Sequence, residues 1–189
     1  MKVLKFAFFA LLACCLTACG DSGIEVNENA GQEIYNSTKG TYVGNVLVDN
    51  IPQKINITVG DKLMVTPLPM KPILERVFTN EEELEQALAS VQNVTFSAPI
   101  IQMSVASGYI YFLMEDTDLT VDVTVEGKSH KVFALISSET LFDMYSSALS
   151  LNMYVKELNF EGKSYDVTTN KINYFVDSAQ KEKITKTEI

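Results

Sequence analysis

Arginine occurs once in the chain, as Arg76, histidine once, as His130, and tryptophan not at all. A single guanidinium excludes recognition of phosphate or carboxylate by several bidentate forks. With 24 acidic against 15 basic residues, the formal charge is −9. That balance lacks the clustered cations that nucleic-acid phosphates demand, so no nucleic-acid partner is expected. Cysteine is confined to Cys14, Cys15 and Cys19, and the roughly 170 residues that follow carry no thiol. Disulfides, thiolate metal clusters and cysteine nucleophiles are excluded there, and a lone histidine cannot supply a His-rich zinc site. The same stretch must be held by its hydrophobic core alone, and it is long enough to build one. No cofactor is expected.

What the N-terminus does have is an address. Met1 to Lys5 carries two lysines and no acid, and Phe6 to Leu16 is an apolar run. A charged start, a short apolar run and small residues at a cut site form a secretory signal. The run falls short of the roughly 20 residues needed to span a bilayer. Leu16-Thr17-Ala18-Cys19 resembles the bacterial lipobox. That resemblance implies cleavage before Cys19 and acylation of its thiol, palmitate included. The expected product is a lipoprotein of the bacterial cell envelope, attached to the outer membrane through Cys19. Cleavage removes Lys2 and Lys5 and no acid, which moves the formal charge from −9 to −11. Such acidity discourages adsorption on anionic lipid, so the acyl chains carry the attachment.

Four regions follow. Residues 1–18 read as signal peptide, and 19–38 as the lipidated cysteine with a polar, flexible tether. Residues 39–178 read as a single β-rich domain, and 179–189 as a charged tail that frays. Within the domain, period-two alternation of apolar residues marks half-buried strands, as in Thr41–Val48, Lys54–Val59 and Leu119–Val125. Two hairpins are near copies of each other. Each runs through alternating apolar residues into Glu-Gly-Lys-Ser (Glu126–Ser129, Glu161–Ser164) and out into alternation again. Glycine supplies the positive φ of a tight turn. These are not phosphate loops, which need an earlier glycine and a following helix.

One segment breaks the strand pattern. Leu84, Ala87, Leu88 and Val91 form a helical stripe, with Thr79 and Glu82 fitting a capping box and acids crowding the first turn. Just before it, Pro72 suits the first turn of another short helix. Residues 138–147 fit helix or loop. The fold class is therefore mainly β: a single antiparallel β-barrel or sandwich of about ten strands with one short amphipathic helix at about 80–91. Regular hairpin succession favours the barrel.

Candidate chemistry is sparse. His130 flanks a hairpin turn beside Lys128 and Lys131, as a solvated strand end would, and no catalytic residue is nominated. Glu115, Asp116, Asp118 and Asp122 offer carboxylate oxygens, but lack the spacing, glycine and terminal glutamate of an EF-hand loop. They read as an acidic turn, and no metal site is assigned. Asp177-Ser178-Ala179 resembles a short acceptor motif for bacterial O-glycans. Tyr109, Tyr111, Phe112, Met114, Phe142, Met144, Tyr145, Met153 and Tyr154 belong mostly to the core, and a surplus lining a barrel mouth would make an apolar ligand site.

Lys39-Gly40-Thr41-Tyr42-Val43-Gly44, the hairpin after it, and Leu68-Pro69-Met70-Lys71-Pro72-Ile73 resemble an uncharacterised lipoprotein family, domain of unknown function 4840. More loosely, the chain is similar to lipoproteins with a calycin-like β-barrel. The resemblance implies a fold and an address but no activity. The expected function is a non-catalytic binding module for an envelope protein partner or a small hydrophobic ligand. The alternative is a carboxylate- or calcium-dependent hydrolase.

Overall fold

The structure, a computed structural model, describes residues 28–182. The expected signal peptide, Cys19 and the last seven residues lie outside that range. Three helices and ten strands follow in chain order. The helices are α1 (Glu28–Thr38), α2 (Lys71–Val77) and α3 (Glu81–Ser90). The strands are β1 (Gly40–Val48), β2 (Ile51–Val59), β3 (Lys62–Thr66), β4 (Phe96–Ala106), β5 (Tyr109–Met114), β6 (Thr117–Val125), β7 (Lys128–Asp143), β8 (Ala148–Phe160), β9 (Lys163–Tyr165) and β10 (Asn173–Lys181).

All strand pairs are antiparallel, in the order β6-β7-β5-β4-β3-β2-β1-β10-β8-β9, and β7 also pairs with β8. That last pairing closes eight strands into a barrel, with β6 and β9 as extensions. β5 and β6 lie end to end along β7, and β9 and β10 lie end to end along β8. The chain thus winds up and down around the wall, and the barrel supersedes the sandwich. Tight turns make this possible. Both central residues have positive φ at Asp49-Asn50, Ser107-Gly108, Glu126-Gly127 and Glu161-Gly162, as type I′ hairpins require. The two Glu-Gly-Lys-Ser copies are two such turns.

Alternation fills the interior. Inward positions on β6 (Leu119, Val121, Val123, Val125) are buried, while Asp118, Thr120, Asp122 and Thr124 between them are exposed. Tyr42, Phe96, Phe112, Ile110, Leu151 and Met153 are all essentially inaccessible. Each aliphatic or Phe side chain so buried contributes about 1.5–3 kcal/mol.

Helices close both ends. α1 lies at the end that holds the β2–β3 turn. Its Tyr35 hydroxyl donates to the Gly60 carbonyl, and its ring sits 6.3 Å from Phe112. α2 and α3 sit in the β3–β4 connection at the opposite end, with Ile73 and Leu74 fully buried and Phe78 edge-on to Phe160 at 5.2 Å. Pro72 occupies the first turn of α2, as the sequence suggests.

Four expectations need correction. The second half of the tether is helical, because Ile34 and Tyr35 pack on the core and Thr38 is buried, so residues 28–38 belong to the fold. The charged tail does not begin at 179: β10 runs to Lys181, Ala179 is buried, and Glu182 N–H donates to Thr41. Residues 138–143 are neither helix nor loop but the end of β7, with Ser138 and Thr140 at inward positions where the pattern calls for apolar side chains. The cap of α3 is Asn80, whose side chain accepts from Glu82 and Glu83 N–H, rather than Thr79.

Candidate functional site

A groove of about 530 Å³ lies on the outer wall of the barrel. Two rungs of outward-facing side chains build it. Gln102 (β4) pairs with Leu113 (β5), which pairs with Glu139 (β7), then Asn152 (β8), then Phe175 (β10). Two residues along each strand, Ser104 pairs with Tyr111, which pairs with Leu141 and then Ser150, whose hydroxyl donates to Asp177. Cross-strand neighbours on one face stand about 5 Å apart, so each rung is continuous.

Relief along the rungs makes the concavity. Tyr111, Leu113 and Phe175 stand 46%, 45% and 60% exposed, while Leu141, Ser150 and Asn152 lie lower between them. Tyr111 and Leu113 are neighbours on the outer face of β5, and Phe175 stands across β7 and β8 from them. The only charged groups in the lining are the carboxylates of Glu139 and Asp177. Glu139 accepts from Asn152 Nδ2 at 2.9 Å, and Asp177 accepts from Ser150 and Ser178 hydroxyls. Among the described residues neither has a basic partner.

Cys19, the expected lipidation site, lies outside the described residues. The acidic turn does not converge. Asp116 pairs with Lys156 at 2.7 Å and Asp122 lies 3.9 Å from Lys131, while Asp118 faces outward on β6. Lys156, with a second hydrogen bond from Ser137, holds the Asp116 carboxyl below its usual range. Among the described residues no group of three or more His, Cys, Asp or Glu side chains could hold a metal ion. His130 is not a free strand end. Its Nδ1 lies 2.7 Å from Glu161, with the ring against Phe160, so it clasps one Glu-Gly-Lys-Ser turn to the other. Ser178 sits exposed in a bulge of β10 at φ 54°.

The aromatic surplus in the sequence reaches Tyr111 and Phe112 but places them at a barrel mouth, while Leu113, Glu139, Leu141 and Phe175 escape a reading of the alternation for its inward face alone. A signal existed in β5, Tyr109-Ile110-Tyr111-Phe112-Leu113-Met114, which is apolar on both faces although an antiparallel barrel needs only one. Tyr174-Phe175-Val176 in β10 repeats it.

The model of the family described as Domain of unknown function (DUF4840) matches residues 37–176. The chain belongs to that family. Neither a curated protein nor a solved structure matches it. The DUF4840 match runs from the end of α1 to Val176 in β10, and so takes in nearly the whole barrel wall. Within this DUF4840 domain, the segments that carry the resemblance prove structural. Tyr42 is buried, its hydroxyl donating to Thr38 at 2.6 Å and its ring edge-on to Phe142. Burial pushes its pKa up to about 12. Pro69 accepts the buried Tyr174 hydroxyl, and Lys71 bridges Asp49 and Glu75. These contacts seal β1 to its neighbours and fasten α2 across the end of the barrel.

Proposed function

We propose that the chain is a lipoprotein of the bacterial cell envelope, held to the outer membrane by lipid on Cys19. Its barrel is a non-catalytic binding module that takes a protein partner on the outer-wall groove. Leu16-Thr17-Ala18-Cys19 supports the anchor, and the up-and-down order of the eight strands supports kinship with calycin-like lipoproteins. The observation that carries the binding site is where the apolar surface lies. Buried side chains pack the interior, whereas Tyr111, Leu113 and Phe175 stand exposed around the outer-wall groove. A small hydrophobic ligand within the barrel draws less support, because a ligand there would have to displace Phe112, Leu151 or Met153. A hydrolase draws less support as well, because the two groove carboxylates stand two strands and two residues apart, about 12 Å by strand spacing and rise.

Two measurements test the reading. Cys19→Ser should release the protein from membranes on fractionation, and a variant still sedimenting with membranes would overturn the anchor. A photoreactive residue at Leu113 should capture an envelope protein in intact cells, while the same group at Thr120, exposed on β6 outside the groove, should not. Equal capture from both positions would contradict the groove as the binding surface.

A further inference from the structure

We infer that the groove takes a segment of the partner that is both apolar and cationic, with one or two lysine or arginine side chains directed at Glu139 and Asp177. This rests on the groove being the binding surface, and it adds the chemistry of what binds. Glu139 lies at the centre of one rung and Asp177 at the end of the other, both exposed. Their hydrogen-bond donors, Asn152, Ser150 and Ser178, are neutral. Both carboxylates share the groove lining with the apolar rims of Tyr111, Leu113 and Phe175. Among the described residues other surface acids, Asp118 and Glu83 for example, also have no cation within ion-pair distance, so what sets Glu139 and Asp177 apart is their place in the lining of an apolar groove.

An acidic or phosphorylated segment would meet two like charges in a molecule that is already acidic overall. A wholly apolar segment would strip water from both carboxylates without replacing their hydration, which is costly. A segment that alternates bulky apolar residues with cations satisfies both. Its apolar side chains lie over Leu141, Ser150 and Asn152 between the rims, and its cations complete the two ion pairs. Such complementarity sets partner choice and association rate and weakens with added salt.

The probes are blocked peptides of lysine and phenylalanine, the same peptides with serine or glutamate in place of lysine, and a neutral trisaccharide. Affinity is measured on the full mature protein at low and high salt. The lysine peptide should bind best and weaken as salt rises. Glu139→Gln and Asp177→Asn should each weaken it by about two- to fivefold. Asp122→Asn, an exposed acid outside the groove, should leave it unchanged. Serine peptides binding as tightly as lysine peptides, without salt dependence but still lost in Phe175→Ala, would overturn the cationic assignment and leave the groove standing. Binding of the trisaccharide with the lysine peptide inert would overturn it in favour of a glycan. Peptide affinities indifferent to Phe175→Ala would overturn the groove itself.

Discussion

Gly44 shows how one missing side chain sets the seam of the barrel. A Cβ there would stand 2.5 Å from Val176 Cγ1 and 2.9 Å from Ala179 Cβ, both on buried residues of β10. Neither neighbour is a flexible tip that can swing away. Gly44→Ala should therefore cost about 1–3 kcal/mol through overpacking, and a melting temperature equal to the parent's would refute the close approach. Asp166 works through polar contacts instead. Hydrogen bonds from the Thr169 and Thr168 hydroxyls, then from their backbone N–H groups, hold its carboxyl well below the usual range. A pKa depressed in the folded state stabilises the loop above the unfolded carboxyl value, near 3.9. That contribution fades as pH falls through the folded value. Asp166→Asn should lower the melting temperature at neutral pH and lower it less near pH 2; melts with equal deficits at both would contradict the linkage. Residues of this kind resist reading from sequence. Gly44 looks like any strand glycine until β10 lies beside it. Ser138 and Thr140, buried with unpaired hydroxyls, hid the end of β7 because their polarity breaks the alternation that reveals a strand.

Among the elements, α3 has a role beyond covering apolar surface. β6 lies at one end of the strand order, and an open edge invites pairing with another chain. α3 packs beside it, and two of its side chains accept edge N–H groups: Ser90 Oγ from Thr124 and Gln86 Oε1 from Glu126. Replacing Gln86 and Ser90 together by Ala should remove roughly 0.5–1.5 kcal/mol per bond. Amide exchange should speed up at Thr124 and Glu126 while Val123 keeps its protection. Unchanged exchange at both would show that the helix does not guard the edge. The helix itself was legible, since the spacing of Leu84, Ala87, Leu88 and Val91 and the acidic first turn define it within a residue or so. Its partner was not, because nothing local to residues 80–91 names the strand forty residues later whose N–H groups it meets. α1 escaped notice for a related reason. Only Ile34 and Tyr35 among its middle residues are large and apolar, and tertiary contacts to Gly60 and Phe112 hold it in place.

For the whole molecule, the sequence carried the architecture better than the site. Alternation and the two Glu-Gly-Lys-Ser turns sufficed for an antiparallel meander, and hairpin succession tipped it towards a barrel. The candidate site draws on β4, β5, β7, β8 and β10, so it exists only once the wall has closed and brought Phe175 beside Asn152. A sequence read strand by strand sees those residues as exposed exceptions. The central claim is that binding happens on the wall and not within the barrel, and alternate residues of the same strands report the two sides separately. Leu113 and Leu141 face the groove, whereas Ile110, Leu149 and Met153 are buried in the core and take no part in its lining. Methyl chemical shifts of these five side chains, followed during titration with the lysine–phenylalanine peptide, are the direct measurement. Shifts at Leu113 and Leu141 with Ile110, Leu149 and Met153 nearly still are the expected result. Movement of the interior methyls, with those of Leu113 and Leu141 unmoved, would contradict it.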